Sequence, residues 1–189
     1  MANPADLRAN RIGLQRFGLG LRLGQPSEIA ERAREIMIAE VGPGGVAQPE
    51  GLRFSGAGQI GTAFYAHEDK ERLAREASRA AAEKAKAVQV AAMQDGQGPM
   101  MPPAPATPEV PLPFTTYREE VTARVKLALE AETDFSERLV QFWSNHFCIS
   151  ASKSTTTRMK AGAYEREAIR PHLFGRVEEM LIAAESQPG

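Results

Sequence analysis

The run GQGPMMPPAPATPEVPLP, residues 96–113, carries seven prolines in eighteen positions. Proline fixes its own φ and offers no backbone donor, so neither a helix nor a paired strand can pass through such a run. The chain is therefore cut here. An extended, polyproline-like linker over 96–113 separates whatever forms on either side. A composition of this kind also suits a proline-recognition ligand, although it names no particular partner.

On the N-terminal side, residues 1–41 read as a helical hairpin. Asn3 can cap a first helix with Pro4 at its first position, and Leu7, Leu14 and Phe17 follow at helical spacing. Gly18, Gly20 and Gly24 break the run. Ser27 can cap a second helix with Ile29, Ala33, Ile36 and Met37 on one face, and glycines 42, 44 and 45 end it. Residues 42–66 read as a glycine-rich loop. It contains GAGQIG, a G-x-G-x-x-G match at Gly56, Gly58 and Gly61. A dinucleotide fingerprint requires a buried strand before the glycines, and PEGLRFS supplies none. Residues 67–95 read as an alanine-rich charged helix from Glu68, with Glu68–Arg72 and Glu71–Arg75 pairs four apart. Its apolar stripe is thin, so it is expected to be a solvated arm. Segment 68–113 is then the place where a protein partner would bind.

Residues 114–189 read as a C-terminal helical unit. Val121, Val125 and Leu129, with Ala128, share one face of a first helix. Asp134 and Glu137 have capping-box spacing for a second, whose Phe135, Leu139, Phe142 and His146 fall on one side beside Trp143. A polar loop, SASKSTTTRMKAGA, is expected next. After it come a short helix over YEREAIR and a further helix starting at Pro171, with Phe174, Val177, Leu181 and Ala184 as its buried stripe. The fold class is thus mainly α, an irregular multi-helix protein.

ERLVQFWSNHF (137–147) and YEREAIRPHLFGRVEEML (164–181), with NRIGLQRFGLGLRLG (10–24), resemble the bacterial family known as domain of unknown function 1800. The resemblance implies a predominantly helical protein without an established activity. Members of that family continue through a His-Pro-Ala-Met-like stretch and more helices, whereas this chain ends in AAESQPG. The resemblance therefore implies a truncated member.

Charge and composition exclude several classes. With 23 basic and 24 acidic residues the net charge is −1, which gives no general attraction to nucleic acid or anionic membrane. One cysteine, Cys148, excludes an internal disulfide and a cysteine-rich zinc site. No run approaches the ~20 apolar residues of a membrane span, and the N-terminus lacks a signal-peptide core, so a cytoplasmic protein is expected. His67, His146 and His172 do not share a helical turn, so no metal is expected, although His146 and His172 could converge with Glu165 or Glu167. No residue pattern names a cofactor. Arg166 and Arg170, four apart, would share a helix face beside the N-terminus at Pro171 and could hold a carboxylate or phosphate. Internal pairing with Glu165, Glu167 or Glu137 is the competing account.

Two functional readings result. The first is a non-catalytic helical scaffold or binding protein in which His146, Arg170 and His172 are structural. The alternative is a hydrolase-type enzyme with His146 or His172 as base, Glu167 as acid, and Arg166 and Arg170 as anion-binding residues.

Overall fold

A computed structural model describes residues 3–20, 27–42, 46–94, 110–131 and 133–187. Among these the chain forms seven α-helices and no strand: α1 (Pro4–Phe17), α2 (Ser27–Glu40), α3 (Ala57–Gln94), α4 (Leu112–Glu130), α5 (Phe135–His146), α6 (Thr155–Tyr164) and α7 (Val177–Glu185). The protein is mainly α. Most of the proline-rich linker, glycines 24, 44 and 45, and the side chain of Ile29 lie outside the described residues.

Local chemistry accounts for α1 as its spacing predicts. Asn3 Oδ1 accepts from the Ala5 N–H at 3.1 Å, Pro4 opens the helix, and Leu14 is fully buried. α1 and α2 pack on each other and both touch α5. Gly18 ends α1 against a neighbouring backbone: a Cβ placed there would lie 2.1 Å from the Thr133 carbonyl oxygen.

α3 starts at Ala57, inside the segment read as loop. Its first turns carry Ala57, Ile60 and Phe64, which are buried against Met159 and Ala163 of α6. Tertiary packing, together with the Glu167 carboxylate on the Ala57 N–H at 2.7 Å, initiates the helix there in spite of the glycines. Beyond Glu68 the described side chains are exposed, apart from half-buried Glu71. That solvated length extends on the order of 40 Å at helical rise. Arg75 pairs with Glu71 at 2.6 Å, and Arg72 pairs with Asp69 at 2.9 Å rather than with Glu68.

The expected polar loop is helical from Thr155. Ser154 Oγ accepts from the Thr157 N–H at 3.0 Å, and Met159 and Ala163, one turn apart, are fully buried. α6 then runs on through a π-helical turn, Glu165–Ile169, into a 3₁₀ turn, Arg170–His172. The expected helix at Pro171 does not form; α7 starts only at Val177. This continuous α6–π–3₁₀ segment joins the two cores. Met159 and Ala163 serve one; Tyr164, Ala168 and Ile169 serve the other with Met180, Trp143 and Phe147.

Three helices bury a different face from the one their apolar residues mark. α4 buries Pro113, Thr116 and Glu120 and exposes Val121, Val125 and Leu129. α5 buries Glu137 and Val140 and exposes Phe142 and His146. α7 buries Met180 and exposes Val177, Leu181 and Ile182. In α4 and α5 the inward face is chosen by ion pairs, described below.

Alanine at Gly18 and at Gly13 separates close backbone approach from helix propensity. Gly18→Ala should lower the unfolding free energy by about 1–3 kcal/mol through overpacking against Thr133. Gly13→Ala, within α1 and with nothing within 4 Å of its added Cβ, should raise it by about 0.5–1 kcal/mol. Urea unfolding of both variants reads the two signs.

Candidate functional site

The polar interior is organised by Arg170, whose side chain has no exposed surface. Its Nη1 and Nη2 donate to the two oxygens of Glu137 at 2.7 and 2.9 Å. Nε donates to Glu165 Oε1 at 3.0 Å, Nη2 also lies 2.9 Å from that oxygen, and Nη1 donates to the Ala47 carbonyl at 2.8 Å. Five N–H groups thus meet five acceptor contacts. Burial pulls the Arg170 pKa down, but the hydrogen bond to Glu137 and the charges of Glu165 and Glu137 outweigh it and hold the pKa above the ordinary value. The π-turn is what allows this. Arg170 and Glu165 are five apart, the repeat of a π-turn, so both side chains meet on one side.

Arg166, four residues before Arg170, engages different partners. Arg166 Nη2 donates to Glu120 Oε1 at 2.7 Å, and Nη1 donates to the Ser55 carbonyl at 2.8 Å. Glu165 Oε2 forms an ion pair with Arg124 Nε at 2.9 Å and accepts from Ser144 Oγ at 3.2 Å. Three carboxylates (Glu120, Glu137, Glu165) therefore face three guanidinium groups (Arg124, Arg166, Arg170), and the network is neutral.

A cleft of about 240 Å³ is bounded by α4, α5 and α6, with Glu120, Arg124, Ser144, Asn145, Cys148 and Glu165 on its walls. Glu120 is 4% exposed, and burial raises its pKa above 4.5 against the opposing charge and hydrogen bond of Arg166, with Glu165 and Glu119 adding to the rise. Among the described residues Arg166 Nε and Thr116 Oγ1 are buried without a hydrogen-bond partner. Tyr164 donates its hydroxyl to the Phe147 carbonyl at 2.7 Å; burial, then the neighbouring Glu185 and Cys148, raise its pKa.

The residues singled out from sequence are dispersed. His146 is exposed, stacked on Phe142 with ring centroids 6.4 Å apart and edge-on to Phe147 at 4.8 Å. His172 Nδ1 lies 3.0 Å from the Ala168 carbonyl, within its own turn. Glu167 is committed to the N-terminus of α3. None of these three lines the cleft. His67 Nε2 accepts from the Leu112 N–H at 3.2 Å and so caps α4. Among the described residues no three His, Cys, Asp or Glu side chains are grouped as metal ligands. Arg166 and Arg170 engage separate carboxylates, Glu120 on one side and Glu137 with Glu165 on the other, and no α-helix starts at Pro171.

Sequence reasoning missed Thr116, Glu120 and Arg124. Their spacing, i, i+4, i+8, was a visible signal, since it makes a polar stripe as regular as the apolar one opposite.

The chain matches the family described as "Protein of unknown function (DUF1800)" over residues 13–189. The match takes in the middle of the chain as well as the motifs at both ends. No curated protein matches, and no solved structure matches.

Because the folded state holds the Glu120 proton over a pH range where the unfolded chain has released it, stability falls as pH rises through that range. Wild type should therefore lose stability relative to Glu120→Gln, which does not titrate, as pH rises from 4.5 through the folded pKa. Urea unfolding of both proteins across a pH series checks the sign; a gain in stability of wild type over the variant as pH rises contradicts it.

Proposed function

We propose that this chain, which belongs to the DUF1800 family, is a non-catalytic helical scaffold whose polar cleft serves binding. One observation carries the reading: the most basic group of the Arg-Pro-His motif, Arg170, has every donor engaged by Glu137, Glu165 and the Ala47 carbonyl. A guanidinium saturated by its own protein has nothing left for a substrate. Glu167 acts as a helix cap, His172 bonds within its own turn, and His146 sits on exposed rings, so each serves structure in this reading. Among the described residues no helix is long and apolar enough to cross a membrane. A reducing, cytoplasmic setting is part of the proposal and is supported by the exposed, unpaired Cys148 thiol.

Stability measurements test it. Arg170→Ala should cost roughly 3–5 kcal/mol, because it leaves Glu137 buried without its partner. Glu167→Ala should cost about 1 kcal/mol as a lost cap, and His146→Ala should change stability by less than about 0.5 kcal/mol. Thermal and urea unfolding read all three. A fully stable Arg170→Ala protein would oppose the scaffold reading. So would turnover of ester or phosphate substrates that disappears in His146→Ala.

A further inference from the structure

The cleft walls are specific enough to name a ligand class. We infer that the cleft between α4, α5 and α6 binds a small zwitterion, an α-amino acid with an apolar side chain, its ammonium on Glu120 and its carboxylate on Arg124. This deepens the binding-scaffold reading and rests on it.

Glu120 supplies the first argument. Its side chain is 4% exposed, and Oε1 is taken by Arg166. Oε2 accepts no hydrogen bond from the described residues. It lies beside Gly162, where an added Cβ would be 2.4 Å away, and both residues line the cleft. A carboxylate oxygen without a protein donor on the wall of a cleft is open to a cation, and an ammonium brings three donors. Burial raises the Glu120 pKa even against the charge of Arg166, and a ligand cation at Oε2 would favour the ionised form.

Arg124 supplies the second. Its Nε is committed to Glu165, whereas its terminal nitrogens have no protein partner among the described residues, and the side chain is 40% exposed. A guanidinium fork with both terminal nitrogens free matches a carboxylate.

Geometry and charge then narrow the ligand. Glu120 and Arg124 stand one turn apart on one face of α4, about 5–6 Å between Cβ atoms, yet each pairs with a residue other than its neighbour. A cleft edge with a free anionic oxygen and a free cationic fork at that spacing suits opposite charges held on one small molecule. Because the wall network is already neutral, a ligand of net charge would leave an uncompensated charge near the interior. The volume of about 240 Å³ falls below the ~300–1,000 Å³ of sites for drug-sized ligands. Val121 and Ile149 line the same cleft and give an apolar contact for the side chain.

Cys148 makes the proposal testable without an assay of function. It is the one cysteine in the chain, it is exposed, and it lines the cleft. Its alkylation by iodoacetamide therefore reports occupancy. L-Leucine should slow alkylation saturably. N-acetyl-leucine, without the ammonium, and leucine amide, without the carboxylate, should each need roughly tenfold or higher concentrations, given the strength of a charged hydrogen bond. Arg124→Gln should abolish protection by leucine. Should that variant fail to fold, Val121→Trp, outside the ion network, fills the cleft and should abolish protection in a folded protein. Equal protection by all three compounds, or protection by none, overturns the ligand class. If Arg170→Ala still unfolds the protein in that case, the scaffold reading stands and only the ligand assignment is lost.

Discussion

A guanidinium with no exposed surface dictates much of this structure. Removing an arginine from water costs several kcal/mol even after relaxation, and the cost is offset only when each donor meets an acceptor in good geometry. Arg170 meets that condition by drawing in Glu137 from α5, Glu165 from the π-turn, and the Ala47 carbonyl from the segment before α3. Glu165 passes the constraint to α4 through Arg124 and back to α5 through Ser144. One buried charge thereby sets how three helices present themselves. Together with Arg166, which draws in Glu120, it also explains why α4 and α5 turn polar faces inward while apolar residues remain outside.

Carboxylates distant in sequence also finish the helix ends. Glu40, at the end of α2, accepts from the N–H and hydroxyl of Ser136 at 2.9 Å each and from the Thr133 hydroxyl, so it caps α5. Glu167 does the same for α3. Glycines permit these approaches: a Cβ at Gly56 would lie 2.5 Å from Glu167 Oε1, and one at Gly162 would meet Glu120. The G-x-G-x-x-G run thus has a role here unrelated to nucleotides. The helix N-terminus that a phosphate would use is already neutralised by the protein's own carboxylate.

These features mark how far the sequence could be read. Helix existence was legible wherever a local cap or strong periodicity was present, as at Asn3 in α1. Faces were not. Apolar spacing on α4 pointed to Val121, Val125 and Leu129, and the pairing of Glu120 with Arg166 turned the face with Thr116 and Glu120 inward instead. On α5 the same competition placed Glu137 and Val140 inside and His146 outside. Asp134 occupies the expected cap position but, at φ 63°, makes no side-chain cap bond; its expected partner Glu137 is engaged by Arg170. The π-turn had no signature in residue spacing, and neither did the separate carboxylates that Arg166 and Arg170 engage. The aromatic and Arg-Pro-His motifs did identify the segments that meet in the network and the second core, and Ser144, Asn145, Glu165 and Arg166 from those segments line the candidate site, which a polar stripe of α4 completes.

The most direct test of the central claim is a double-mutant cycle on Arg170 and Glu137, using Arg170→Met and Glu137→Met with unfolding free energies for all four proteins. If the buried pair organises the fold, each single variant strands a buried charge and the double variant recovers much of the loss, with a coupling of about 2 kcal/mol or more. Losses that simply add, with coupling near zero, would show that Arg170 and Glu137 act independently and that the interior is not organised around their contact.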